Sequence, residues 1–120
     1  MKKIMVVEDE MDVQVLLSEV LKDENYEIVQ ANDGIQALRS ARELRPQLVL
    51  LDVMLPGIDG FEVCRRLKAD PATRDIKVVM VSARSDDQDI KEGLACGAEH
   101  YITKPIKLLE LSATIQRLLG

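Results

Sequence analysis

Four places in this chain put chemically capable side chains directly after a short β-like run. Glu8, Asp9 and Glu10 follow IMVV, and Asp52 follows LVLL. Ser82 and Ala83 follow the run at 76–81, and Thr103, Lys104 and Pro105 follow the run at 99–102. A carboxylate at the edge of an apolar run is costly to bury unless something pairs with it. If Asp9 and Asp52 meet in a partly dehydrated crevice they repel, and either stability suffers or one pKa rises. A hard divalent cation removes the conflict. Mg²⁺ favours such a site, because it takes one or two carboxylates, some waters and a substrate phosphate rather than a full protein cage. Lys104 then holds a phosphoryl oxygen as a point charge, Ser82 donates a hydrogen bond to another, and Asp52 keeps an oxygen for in-line attack on phosphorus. Asp52 is the better candidate nucleophile than Asp9, because LVLL reads as a central strand and the PGIDG at 56–60 leaves access for a donor.

Taken singly, these residues have ordinary explanations: a solvated helix start, a turn cap, a turn serine, a surface lysine. Their chemistry depends on the elements that bring them to one rim. β-like runs at 4–7, 27–31, 48–51, 76–81 and 99–102 alternate with segments of helical spacing. Val13, Leu16, Leu17, Val20 and Leu21 form one stripe; Ala37, Leu38, Ala41 and Leu44 form a second, stopped by Pro46. Phe61, Cys64 and Leu67, with Val63 nearby, form a third that breaks at Asp70-Pro71. A fourth helix is predicted from Asp86-Asp87, where acidic residues suit the helix dipole, to Gly97, and a fifth carries Leu108, Leu111, Ile115 and Leu118. Strict β–α alternation predicts a single α/β domain, a flavodoxin-like doubly wound (βα)5 unit with a five-stranded parallel sheet. The continuous LVLL and VVMV runs suit central strands, while Glu27 and Gln30 mark the second strand as an edge. The implied order is 2-1-3-4-5, with the crevice beside strands 1 and 3, where every strand's carboxyl end emerges on the same rim.

The bulk numbers narrow the function classes. The 120 residues suit one hydrophobic core, and a net charge of −5 argues against direct contact with nucleic acid, which needs a basic footprint, or with anionic membranes. No apolar run is long enough to span a bilayer, and the N-terminus turns acidic too soon for a signal peptide. Cys64 and Cys96 lack metal-type spacing and read as reduced, packed thiols of a cytoplasmic domain.

VVEDE around Glu8-Asp9, LLDVMLPGIDG around Asp52, VSA with Ser82-Ala83, and GAEHYITKPI with Tyr101 and Lys104-Pro105 together resemble the receiver domain of two-component response regulators, over essentially the whole chain. The resemblance implies that Asp52 is the phosphoacceptor, taking a phosphoryl group from a phosphohistidine of a histidine kinase or a histidine phosphotransfer protein. It implies Mg²⁺, with Mn²⁺ as a substitute, held by Asp9, by Asp52, by Glu8 through water and by the backbone carbonyl of Met54. Ser82, the backbone of Ala83 and Lys104 would bind the phosphoryl oxygens. Tyr101 would be a rotamer switch turning inward as Ser82 moves toward the phosphate, and the Lys104-Pro105 bond would be cis. Glu8 and Ser82 stand where aspartate and threonine are commoner, and Met54 and Arg84 would tune how water reaches the acyl phosphate.

An acyl phosphate adds close to two negative charges, and the face expected to respond is the fourth helix, fifth strand and fifth helix. His100, the only histidine, reads as a surface residue of that strand and not as a phosphoacceptor. Residues 1–120 are read as a receiver domain with no output domain, acting on a downstream effector protein or a separate output domain. It is expected to be a monomer, or a weak phosphorylation-dependent homodimer through that face. Three other classes fit less well. A binding-only receiver would be expected to have lost one or more of Glu8, Asp9, Asp52, Ser82 and Lys104. A flavodoxin-like cofactor carrier would want a Ser/Thr/Gly-rich loop where this chain has EDE. A metal hydrolase needs a dedicated base for multiple turnovers, so the chain is not read as a turnover enzyme.

Overall fold

Three of the five strands of this protein are held by a neighbouring strand on each side before any helix is considered. In the computed structural model, which describes residues 1–120, the elements run β1 (Lys3–Val7), α1 (Met11–Asp23), β2 (Glu27–Ala31), α2 (Gly34–Leu44) and β3 (Leu48–Asp52). They continue with α3 (Gly60–Ala69), β4 (Lys77–Ser82), α4 (Asp87–Ala95), β5 (His100–Thr103) and α5 (Leu108–Leu119). The strands form one parallel sheet in the order β2-β1-β3-β4-β5. This is the flavodoxin-like α/β arrangement expected from the alternation.

Alternate residues of each central strand feed two separate cores, as the pleat requires. Met5, Val7, Val49, Leu51, Val78 and Met80 face α2, α3 and the end of α4. Ile4, Val6, Leu48, Leu50, Val79 and Val81 face Leu17 and Leu21 of α1 and Leu111 and Ile115 of α5. Leu48 to Leu51 are at most 2% exposed, and burial of each contributes roughly 1.5–3 kcal/mol. β2, with Glu27 and Gln30 exposed, is an edge. No helix is long and apolar enough to cross a membrane.

Several boundaries and faces differ from the sequence reading. β3 and β4 each extend past their apolar runs, so Asp52 and Ser82 are the last residues of their strands rather than the first of a loop. β5 is shifted one residue on, with Glu99 outside it, and α5 begins at Leu108 after a loop through Ile106 and Lys107. α4 is shorter at its far end, stopping at Ala95, and Gly97 takes φ +104° in the turn that follows. The α1 stripe is rotated: Leu16 is 55% exposed, while Gln14 and Ser18 are buried with Leu17 and Leu21. Hydrophobicity alone placed Leu16 inside; the amide of Gln14 and the hydroxyl of Ser18 find partners on neighbouring strands, which makes their burial affordable in hydrogen-bond terms. Leu44, at the last turn of α2, is also outside the core.

α2 and α3 start on aspartate caps, with Asp33 Oδ1 accepting from Gln36 N and Asp59 Oδ1 from Glu62 N. α4 has no side-chain cap and buries only Gly93 of its own residues. Cys64 and Cys96 are free and buried, and burial pushes the Cys64 thiol up to about 12, which leaves it inert at neutral pH.

Candidate functional site

Parallel strands end on one rim, and there the chain collects Glu8 after β1, Asp52 at the end of β3, Ser82 at the end of β4 and Lys104 after β5. Glu8, Asp9 and Asp52 bring carboxylate oxygens within 4.8 Å of one another, with Glu8 and Asp52 buried and Asp9 exposed. Lys104 Nζ lies between two of them, donating to Glu8 Oε1 at 3.1 Å and to Asp52 Oδ2 at 3.2 Å. The other oxygen of Asp52, Oδ1, accepts from the backbone N–H of Met54 at 3.0 Å, and Glu8 Oε2 accepts from Glu10 N at 3.2 Å. All of the Asp52 and Glu8 oxygens are therefore oriented before any ligand arrives.

Two buried carboxylates share one ammonium, and the acidity of Glu8 records it. Burial first, and then the charge of Asp52, push its carboxyl up to about 7 against the pull of Lys104. Burial works against the Lys104 ammonium, but the Glu8 hydrogen bond and the Asp52 charge outweigh it and hold its pKa above the ordinary lysine value. The donor set suits a small divalent cation: carboxylate oxygens, one of them solvent-facing, and no sulfur or imidazole. Linkage fixes the sign of the pH dependence. The folded state holds a proton on Glu8 that the unfolded chain releases near its usual pKa, so this contribution is complete below about pH 4.5 and disappears as pH rises through about 7. In chelator, the thermal midpoint is therefore expected to fall between about pH 5 and about pH 7.5, with Mg²⁺ cancelling the fall at the upper end. Circular-dichroism melts at both pH values, with and without Mg²⁺, check this; a midpoint that rises with pH in chelator would contradict the raised Glu8 pKa.

Ser82 is fully buried, its Oγ accepts from Arg84 N at 3.1 Å, and its hydroxyl lies against that of Tyr101. Lys104 N donates to Ser82 O at 2.8 Å, so β4 and the lysine loop are joined beside the site. Ala83 and Arg84 are exposed immediately after Ser82. The Arg84 guanidinium pairs with Asp89 Oδ1 at 2.8 Å and lies 5.6 Å from the centroid of the Phe61 ring. Met54 is 58% exposed at the mouth. Tyr101 points inward, 9% exposed, with its hydroxyl donating to Arg84 O at 2.6 Å. A Cβ on Gly93 would lie 2.8 Å from the Tyr101 ring, so this glycine in the last turn of α4 makes room for that ring. His100 is half-buried on β5, paired with Val79 and outside the carboxylate cluster. The Lys104-Pro105 bond is cis.

Two residues that the sequence reading passed over shape the site. Gly60 donates to Val53 O at 2.8 Å, and a Cβ there would sit 2.3 Å from the backbone oxygen of Asp52. Gln14 reaches the same rim from α1. Beside Lys104, an apolar groove of about 330 Å³ is lined by Val13, Leu16, Leu17, Pro105, Ile106 and Leu108. A larger hollow of about 390 Å³, among Lys2, Pro46, Lys77 and Leu119, lies at the opposite ends of the strands and holds none of the residues above.

This geometry can be set beside known proteins. The family model described as "Response regulator receiver domain" matches residues 4–116. The chain belongs to the response regulator receiver domain family. Among its relatives, the DNA-binding response regulator MtrA of Mycobacterium tuberculosis is 44% identical over 115 residues, covering 96% of this chain and 49% of that protein. The receiver domain thus spans about half the length of such relatives. A putative response regulator from Chloroflexus aurantiacus superposes with a TM-score of 0.94 at 31% identity, covering 98% of this chain and 97% of the other. The receiver domain of a sensor histidine kinase from Pseudomonas aeruginosa, described with a magnesium ion coordinated in its active-site cleft, superposes with a TM-score of 0.92 at 32% identity, covering 99% and 98%.

Proposed function

We propose that this receiver domain accepts a phosphoryl group on Asp52 from the phosphohistidine of a histidine kinase or phosphotransfer protein, in a Mg²⁺-dependent reaction, and thereby controls a downstream effector protein or a separate output domain. The observation that carries the proposal is a buried Asp52 whose two oxygens are held by Met54 N–H and Lys104 Nζ, beside the carboxylates of Glu8 and Asp9. In the transfer, one carboxylate oxygen of Asp52 forms the new O–P bond as the donor's P–N bond breaks, and the departing imidazole keeps the electron pair and takes up a proton. Mg²⁺ or Mn²⁺, held by Asp9, Asp52, the Met54 carbonyl and Glu8 through water, would neutralise the phosphoryl oxygens. Lys104 takes a second oxygen as a point charge and leaves Glu8 as it does so. Ser82 turns its hydroxyl hydrogen from the Tyr101 side to a further oxygen, and the backbone of Ala83 contributes beside it.

The groove formed by Val13, Leu16, Pro105, Ile106 and Leu108 opens next to Lys104 and suits the apolar part of the donor's docking surface. Once Asp52 carries the added charge, Ser82 moves toward it and Tyr101 is fixed inward, which alters the α4–β5–α5 face. That face then meets the effector or, weakly, a second copy. Met54 and Arg84 bracket the acyl phosphate and set its lifetime. The whole of residues 1–120 acts as one such domain in the cytoplasm, and an acidic chain of net charge −5 leaves DNA contact to other parts of a regulator.

The test is incubation with Mg²⁺ and a small acyl-phosphate donor, read by intact mass. One phosphoryl adduct is expected, absent in Asp52→Asn and absent after chelation, with an altered lifetime in Met54→Ala and Arg84→Ala. No adduct on the native protein, under conditions that label another receiver, overturns the proposal.

A further inference from the structure

Gln14 is a buried polar side chain for which the transfer chemistry above has no use. It is 1% exposed on the face of α1 that carries Leu17 and Leu21 into the core. Its Nε2 donates to Ala31 O at 2.9 Å and to Glu8 O at 3.3 Å, so one amide spans the carboxyl ends of β1 and β2. Ala31 O has a second donor in Glu8 N at 3.1 Å, but no backbone N–H in the chain reaches the Glu8 carbonyl. That carbonyl belongs to the peptide group joining Glu8 to Asp9, and its plane sets the direction in which both carboxylates leave the chain. Only Glu8, Asp9 and Glu10 separate β1 from α1, and Glu10 caps the helix without a side-chain hydrogen bond. Gln14 is therefore the one side chain of α1 that fixes this peptide from below.

We propose that Gln14 is a positioning residue for the acidic pair: by holding the Glu8–Asp9 peptide against the end of β2, it aims Glu8 and Asp9 at the cation site. The inference rests on the metal reading of that site. Outer partners that orient ligands in this way typically change metal affinity by about 10–100-fold when removed. Ser18 provides the matched comparison, because it is equally buried one turn along the same face and bonds Gln30 Nε2 at 2.9 Å, away from the loop.

The experiment is a Mg²⁺ titration of ¹⁵N-labelled native protein, Gln14→Met and Ser18→Ala, followed by backbone amide shifts well below each thermal midpoint. Methionine keeps the length of glutamine without its donor. The dissociation constant is expected to rise about tenfold in Gln14→Met and to stay within about twofold of native in Ser18→Ala. Gln14→Asn, which keeps the amide but withdraws it by one methylene, serves if the methionine variant does not fold, and is expected to weaken binding by at least about threefold. Native-like affinity in the Gln14 variants, or an equal loss in Ser18→Ala, overturns the positioning role and leaves Gln14 as a packing residue. Absence of Mg²⁺-dependent shifts in the native protein instead overturns the metal reading, and this inference with it.

Discussion

Lys104→Met is expected to slow phosphoryl transfer to Asp52 by about 10²–10³-fold, the usual effect of removing a preorganised donor aimed at developing oxygen charge. The size follows from what the ammonium touches: Glu8 Oε1 and Asp52 Oδ2, both on carboxylates at most 5% exposed. Methionine preserves the stem and removes the charge, leaving two buried carboxylates facing each other. Breaking a buried pair commonly costs about 3–5 kcal/mol, but Lys104 keeps 19% of its side chain exposed and Glu8 can take up a proton, so about 1–2 kcal/mol is expected at neutral pH. The stability loss should shrink at about pH 5, where Glu8 is protonated in either protein, whereas the transfer defect should remain. Rapid-quench labelling with an acyl phosphate gives the rate, and urea unfolding at the two pH values gives the stability. A transfer rate within about threefold of native would remove Lys104 from phosphoryl binding and leave it only the ion pair.

Gly60→Ala should be the most damaging single-methyl addition near the site. The added carbon would stand 2.3 Å from Asp52 O and 2.7 Å from Val53 Cα, both main-chain atoms that have no rotamer with which to withdraw. β3 is hydrogen-bonded to β1 and β4 on either side, so the strand end cannot simply shift. We expect a loss of about 2–4 kcal/mol, and slower phosphorylation of the fraction that folds, because the displaced carbonyl belongs to Asp52, the proposed phosphoacceptor. Gly57→Ala is the comparison. Gly57 has φ +77° with open space around the missing Cβ, so only the backbone conformation is penalised, by about 1 kcal/mol. Denaturant midpoints of the two variants decide the matter: equal losses would mean that the close approach at Gly60 is relieved at little cost.

The alternation of apolar runs and helical stripes made the sheet order legible, because a short continuous LVLL at 48–51 between helical stripes suits a strand covered on both faces. The rim followed from the same alternation: in a parallel sheet, residues placed just after each run must share one edge, wherever the loops wander. Less could be read about rotation. The α1 stripe admits either Leu16 or Gln14 on its inner side by spacing, and the choice fell to hydrogen-bond partners on β2 and the β1 loop, which no local pattern encodes. The same limit applied to Gly60 and Gly93. Each reads locally as a turn or a weak helix position, and each is explained only by a chain segment distant in sequence, the Asp52 carbonyl in one case and the Tyr101 ring in the other.

α4, which buries only Gly93 and rests a half-buried Ile90 on the core, is tethered more lightly than the other helices. Elements with little buried apolar contact open at free energies well below that of global unfolding. The amides of α4 are therefore expected to exchange fast, and those of β3, covered on both faces, slowest, when exchange is followed residue by residue. In the proposed function, a small free-energy input at the rim redistributes α4 while the sheet keeps Asp52 in place. Rigidity and responsiveness are in this way segregated within 120 residues, with the proposed chemistry on the slow side of the boundary and the proposed readout on the fast one.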